Sequence, residues 1–362
     1  MPKKPLVHLI IPQLFQPLKL WKKGYKIEVQ SDYFTQLLQS YKYKHQPATT
    51  GMNASLFSSI GFSTEEELPV AYYRYQAHCN SLPAKDALLL CADPVHLVVG
   101  MSDITLTNKI TDLTQAEAKE LINLLNAHFN QDGLTFILGS NSQWYLSVQA
   151  IETISTTPLE DVIRKNIADY PTQSDHRNWY VLQNEMQMLL HSAPLNHSRE
   201  MAGLPTVNSL WLWGGGMPQA IENKASLVLS DNATTGMMLA SAAQCDYQNC
   251  TFQKPSDEQG ATAQKFDKNI SSEFDFSKLP EGKTIIINES LVEPAINDDL
   301  DAYQIELKKL DMHCIKPLYA LWKNNKINMQ VDSCDGKLIT PLVTPSWNFW
   351  KKIPNSLSEL DL

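Results

Sequence analysis

No stretch of this chain approaches the roughly 18 consecutive apolar residues that a membrane-spanning helix requires. The first apolar run, residues 6–11, stops at Pro12. It is too short for the core of a secretory leader and lacks a small-residue cleavage site. Cations are scarce too: 30 Lys+Arg against 39 Asp+Glu leave a formal net charge of −9. Nucleic-acid binding needs clustered cations to displace counterions, and anionic membrane surfaces attract the same clusters, so neither partner is expected. The 6 cysteines include no C-x-x-C pair, and no Cys/His cluster supplies four zinc ligands. A chain of 362 residues buries a sizeable core without disulfides, so reduced thiols and a cytoplasmic location are expected. The motifs G-x-x-x-x-G-K-[ST], G-x-S-x-G and H-E-x-x-H are all missing.

What is present is an ordinary globular balance, with 43% hydrophobic and 19% charged residues. Apolar runs of strand length fall at 6–11, 86–91, 97–99, 134–138, 210–213, 226–229, 284–287 and 327–331. Between them lie segments of helical character at 31–41, 114–130, 179–191, 234–243 and 299–324, the last with a bend expected at Pro317. Thr114 and Glu117 have the spacing of a capping box. This alternation predicts an α/β fold, a mainly parallel or mixed central sheet flanked by helices. Residues 6–11, 210–213, 226–229, 284–287 and 327–331 are its expected neighbouring core strands. Residues 1–362 are read as one unit, with an inserted or cap subdomain around 65–175. A polar surface loop is expected at 250–277. The tail 341–362, with Trp347, Phe349 and Trp350, is expected to pack back on the domain.

Several residue groups carry candidate chemistry. Asn208-Ser-Leu-Trp-Leu-Trp-Gly-Gly-Gly216 is a strand running into glycines, where backbone N–H groups can approach an anion. The bland alternative is a tight turn at Gly214, Gly215 and Gly216. Arg199 could clamp a phosphate or carboxylate, or simply pair with Glu200 or Glu185. Asp93 and His96 could serve acid/base or metal work, or Asp93 could close a turn at Pro94. Asp298, Asp299 and Asp301 could gather a divalent ion or stabilise a helix N-terminus.

Thr156-Thr-Pro158, Ile167-Ala-Asp-Tyr170, Met188-Leu-Leu-His191, Ala193-Pro-Leu-Asn-His-Ser-Arg199 and Val207-Asn-Ser-Leu-Trp-Leu-Trp-Gly-Gly-Gly216 occur in that order. This series resembles the cofactor-independent phosphoglycerate mutases of the alkaline-phosphatase superfamily. A second match covers residues 284–318, and a fainter one 49–62. The wording Ala92-Asp-Pro-Val-His-Leu97 is similar to that of shorter proteobacterial proteins described as phosphoglycerate mutases or pathogenicity-factor regulators. The resemblance implies an alkaline-phosphatase-like sheet and, in the family, two divalent ions with a Ser or Thr nucleophile between them.

The departures fall on the family's metal ligands. The first strand runs into Ile11-Pro12 where the family carries Asp. The metal-bearing turn near Glu293–Asp299 has lost its His, and Asp332-Ser-Cys334 keeps one Asp and no His. Thr50 is the candidate nucleophile, beside Thr49 and Ser55, and none has the family's Asp next to it. Asp298 and Asp332 are carboxylates that a single ion could still use. The resemblance therefore implies a mutase-like protein without the metal constellation and without a bound cofactor, acting in regulation or as a scaffold. Its partner would be a small phosphorylated or anionic ligand, held near Arg199, Asn208 and Gly214–Gly216, or another protein. The rival expectation is an active phosphoryl-transfer enzyme with a rearranged site using Asp93, His96 and Asp231.

Overall fold

Leu9, Ile10 and Ile11 follow one another without a polar break, and so do Ile285, Ile286 and Ile287. A strand apolar on successive residues has no face to show to water, which is the pattern of a parallel sheet covered on both sides. The computed structural model has that architecture. It describes residues 4–25, 28–39, 41–79, 81, 87–149, 152–219, 221, 224–250 and 274–342. The chain divides into two compact units, Met1–Thr64 with Ile221–Leu362, and Glu65–Ala220.

The first unit holds β1 (Leu6–Ile10), β2 (Tyr41–Thr50), β10 (Leu227–Ser230), β11 (Asp246–Asn249), β12 (Lys283–Ile287), β13 (Asn328–Asp332) and β14 (Asp335–Pro341). They form a 7-stranded sheet in the order β11-β10-β12-β1-β13-β14-β2. The strands from β11 to β13 are parallel, and β14 and β2 are antiparallel additions. Helices α1 (Gln16–Tyr25), α2 (Asp32–Leu37), α10 (Leu300–Leu310) and α11 (Lys316–Lys323) cover one face. There Leu9, Ile286 and Val331 pack in one core with Trp21, Phe34, Leu307 and Leu318. Each such side chain contributes about 1.5–3 kcal/mol on full burial. Helices α3 (Met52–Ser59) and α8 (Ala233–Ala243) pack along β1 and β2, and along β10 and β11. The short α9 (Val292–Ile296) precedes α10.

The bend expected at Pro317 is a π turn, Asp311–Ile315, between α10 and α11. Proline has no N–H to give to the carbonyl four residues back. The Lys316 N–H reaches past it to Asp311 O, five back. The wider turn also carries the buried Asp311 carboxylate to α2, where it accepts from Tyr33 N at 3.1 Å and Phe34 N at 2.9 Å.

The second unit is built on an antiparallel sheet of β3 (Leu88–Val99), β4 (Ile104–Lys109), β5 (Leu134–Ser140), β6 (Gln143–Val148) and β9 (Ser209–Trp213). A small ribbon pairs β7 (Ile154–Ser155) with β8 (Gln173–Ser174). Its core joins Leu90, Leu146 and Leu212 of the sheet to Leu121 and Leu125 of α5 (Gln115–Phe129) and Leu190 of α6 (Trp179–His191). Helix α4 (Val70–Cys79) packs on β3, and α7 (Pro194–Met201) follows α6. The Thr114–Glu117 capping box starts α5 as expected. Asn126, Asn196 and Asn208 each bond both the N–H and the C=O of one residue, Phe136, Val207 and Leu97, at 2.7–2.9 Å. Each amide thereby stands in for one residue of a neighbouring strand.

Three expectations are corrected. Residues 210–213 do not neighbour β1, because β9 pairs antiparallel with β3 in the other unit. Every residue of β9 is buried, so its apolar run carries no sign of which sheet it joins. Residues 86–91 and 97–99 are not separate strands, since β3 runs through Asp93 and Pro94. Its ladder partner changes from β6 to β4 there, so the missing Pro94 N–H falls between the two ladders. The helix expected over 31–41 ends at Leu37 and a strand starts at Tyr41. Most of the loop 250–277 and of the tail 341–362, with Trp347, Phe349 and Trp350, lies outside the described residues.

Candidate functional site

In open parallel sheets, ligands bind beyond the carboxyl ends of the strands. In the first unit those ends bring Asp231 after β10, Asn288 and Glu289 after β12, Ile11 and Pro12 after β1, and Asp332 with Ser333 and Cys334 at β13. Asp231 accepts from Asn288 Nδ2 at 2.8 Å and from Glu289 N at 2.9 Å. Asn232 Nδ2 donates to Glu289 Oε2 at 2.8 Å. Asp332 Oδ1 accepts from Cys334 N at 2.8 Å and from Ser55 Oγ, brought in by α3, at 3.2 Å. Backbone bonds tie the ends together: Ile11 N donates to Asp332 O and Asn288 N to Ile10 O.

Burial raises both carboxyls. Asp231 is pushed up to about 6, although the Glu289 N–H opposes the rise. Asp332 is likewise raised to about 6, against the pull of Cys334 N–H and Ser55. His8 on β1 lies 4.0 Å from Asp332. Burial first and Lys283 second lower it to about 3, so it is neutral at pH 7. Neither ring nitrogen of His8 has a hydrogen-bond partner among the described residues. Carboxyls near pH 6 are suited to proton exchange. As metal donors the strand ends offer Asp231, Glu289, Asp332 and hydroxyls, with Asp231, Glu289 Oε2 and Asp332 Oδ1 already accepting from the chain. Among the described residues, no three His, Cys, Asp or Glu side chains converge as a metal-ligand group. The residues present do not fit a two-ion centre.

The other expected site residues are dispersed. Thr50 ends β2 opposite Asp335, exposed, immediately before the Gly51 turn (φ 98°) that leads into α3. Asp298 bonds Trp21 Nε1 and Tyr25 Oη, and Asp299 caps α10 by accepting from Ala302 N at 2.9 Å. In the second unit Arg199 is buried and spent on Asp112 at 2.7 Å, Glu117 at 3.1 Å and Pro205 O. Asn208 is engaged with Leu97. The length of β9 separates Asn208 from Gly214 by roughly 20 Å of extended strand. Asp93 and His96 project to opposite faces of β3. Asp93 receives Arg74 through two 3.0 Å bonds and Trp213 Nε1 at 2.9 Å. Burial would lift its carboxyl, but Arg74 and Lys109 outweigh that and hold it low. His96 Nδ1 meets Thr206 O at 2.9 Å.

The glycine turn does receive an anion, one supplied by its own unit. Glu67 accepts from Thr156 N at 2.9 Å and from Thr156 Oγ1, which itself accepts from Gly214 N at 2.9 Å. Burial raises the Glu67 carboxyl, and Thr156 and the N–H groups of Gly215 and Gly214 oppose that rise. A Cβ on Gly216 would stand 1.9 Å from Glu67 O, and one on Gly214 2.8 Å from Val70 Cβ. Gly214 and Gly216 admit the 67–70 segment against the strand end, and Gly215 leaves room for Leu90 and Ile154. Asn288, Glu289 and His8 were missed by sequence reading. The available signals were a polar residue directly after an apolar strand, as in Ile287-Asn288, and a lone histidine within one, as in Val7-His8-Leu9.

No family model matches the sequence, and no curated protein matches it. Among solved structures, the PH0037 protein from Pyrococcus horikoshii aligns over 94% of this chain and 88% of its own, with 12% identity and a TM-score of 0.53. That likeness is one of fold. A cofactor-independent phosphoglycerate mutase from Thermoplasma acidophilum aligns over 95% of this chain and 90% of its own, at 11% identity and a TM-score of 0.43. Among the described residues, no helix is long and apolar enough to cross a membrane.

Proposed function

We propose that this chain is a phosphoglycerate-mutase-like protein that carries out no metal-dependent phosphoryl transfer and acts as a regulatory or scaffold protein of the cytoplasm. Its partner would be another protein or a small phosphorylated or anionic ligand. The ordered motif series from Thr156 to Gly216 supports the likeness. The observation that carries the loss of catalysis is the state of the strand-end carboxylates. Asp231 and Asp332 accept hydrogen bonds from Glu289 N, Asn288, Cys334 N and Ser55, and among the described residues no three His, Cys, Asp or Glu side chains converge on a common point. A two-ion centre needs several such donors converging on shared cations. Without those ions, phosphoryl transfer forfeits several kcal/mol of charge stabilisation. The test is calorimetric titration of the full chain with Mn²⁺ and Zn²⁺. Binding of about 1 mM or weaker is expected. A stoichiometric micromolar site that disappears in Asp332→Ala would sink the proposal.

One observation favours a second reading, an active phosphoryl-transfer enzyme with a rearranged site. Ser55 Oγ lies 3.2 Å from Asp332, whose raised carboxyl is placed to act as a base. That reading requires phosphate-monoester hydrolysis with a pH limb near 6, lost in Asp332→Asn.

A further inference from the structure

We propose that a groove on the first unit, between the Phe274–Ser277 segment and the π turn with α11, binds a small aromatic molecule with a hydrogen-bonding edge, of the indole or phenol class. The groove is open to solvent along one side and offers about 490 Å³, a volume within the range of small-ligand sites. None of the strand-end carboxylates lines it, and it does not rest on the reading given for them. Phe274 and Phe276 form one wall, edge to face with ring centroids 5.3 Å apart. Pro317, Ala320 and Leu321 form the other, so a flat ring can be held between aromatic and aliphatic surfaces.

Polar recognition falls to His313. Its side chain lines the groove and makes no hydrogen bond among the described residues. The lining carboxylate, Asp275, is already engaged: it accepts from Ser277 N at 3.0 Å and Ser277 Oγ at 2.6 Å, and Lys278 lies 3.5 Å away. A carboxylate so paired neither calls for a cation nor welcomes a strong anion. An imidazole can both give and receive a proton, so the matching group is a neutral O–H or N–H on a ring. The π turn supports the same assignment. Such turns are rare and gather at functional sites. Here the inward side of the turn is accounted for by Asp311, which caps α2. The outward side presents His313 to the groove.

The test titrates indole and p-cresol, with toluene as the ring lacking a polar edge, into the full chain by calorimetry. A saturable site with Kd between about 10 μM and 1 mM is expected for indole or p-cresol. Ala320 is exposed, so Ala320→Trp should fill the groove without disturbing the fold, checked by an unchanged melting curve, and weaken binding at least ten-fold. His313→Ala should weaken indole and p-cresol several-fold while leaving toluene unchanged, which a purely structural role would not do. Absence of saturable binding by both polar probes, or binding untouched by Ala320→Trp, overturns the proposal. Equal losses for toluene and indole in His313→Ala overturn the role given to the imidazole.

Discussion

His8 is a base that the fold keeps uncharged, while Asp332, 4.0 Å away, is an acid that the fold is slow to ionise. Their effects on stability have opposite signs. The unfolded chain binds a proton at His8 near pH 6.5 and the folded chain only near 3, so His8 costs stability as pH falls through that window. Asp332 holds its proton to about 6 when folded and about 3.8 when unfolded, so it costs stability as pH rises through that window. Replacing each removes its own cost. His8→Asn should gain on wild type as pH falls from 7 to 4.5, by on the order of 2 kcal/mol. Asp332→Asn should gain on wild type as pH rises from 4 to 8, by a similar amount. Urea midpoints at four or five pH values check both, and parallel curves for the two variants would contradict the assignment. Arg74 and Asp93 form a buried ion pair, with Arg74 only 4% exposed and Asp93 fully buried. Arg74→Met should cost up to about 3–5 kcal/mol by leaving the buried Asp93 only Lys109 at 3.7 Å and Trp213 Nε1, and Arg74→Met with Asp93→Leu should recover much of it. Thermal melts of single and double variants measure the recovery. Asp93 drew attention in the sequence, but its partner did not. Arg74 sits on a different element, and nothing local marks the pair.

At the scale of elements, what was legible was what is local. Thr114 and Glu117 announce the start of α5 because both halves of a capping box lie within one turn. Pro317 announces a disturbed helix because its missing N–H acts four residues away. Sheet membership is not local, and β9 shows the cost: a fully buried strand reads the same in either unit. The glycines after β9 were legible as a special backbone, but their purpose was not, since Glu67 lies far away in sequence. Gly216→Ala tests which purpose is right. Its Cβ would meet Glu67 backbone oxygen at 1.9 Å, so a loss of about 1–3 kcal/mol or more is expected. A neutral substitution, by chemical denaturation, would show that the 67–70 segment does not depend on this contact.

For the whole molecule, composition and alternation of elements were enough to indicate an α/β protein with helices on a largely parallel sheet. The sequence reading placed an insertion around 65–175, and the compact unit of the structure is Glu65–Ala220. Its core draws on α5, α6 and its own sheet. A fragment of residues 65–220 should therefore unfold cooperatively on its own, and an expanded, dye-binding state would contradict that. Function was the least legible property, because it depends on what the strand ends of the other unit hold together. The most direct measurement is a coupled assay of the full chain with 3-phosphoglycerate, in the presence of Mn²⁺, Mg²⁺ or Zn²⁺. Turnover indistinguishable from the blank is predicted with every ion. Turnover above about 1 s⁻¹, at the low end of enzyme rates, that vanishes in Asp332→Ala would contradict the account.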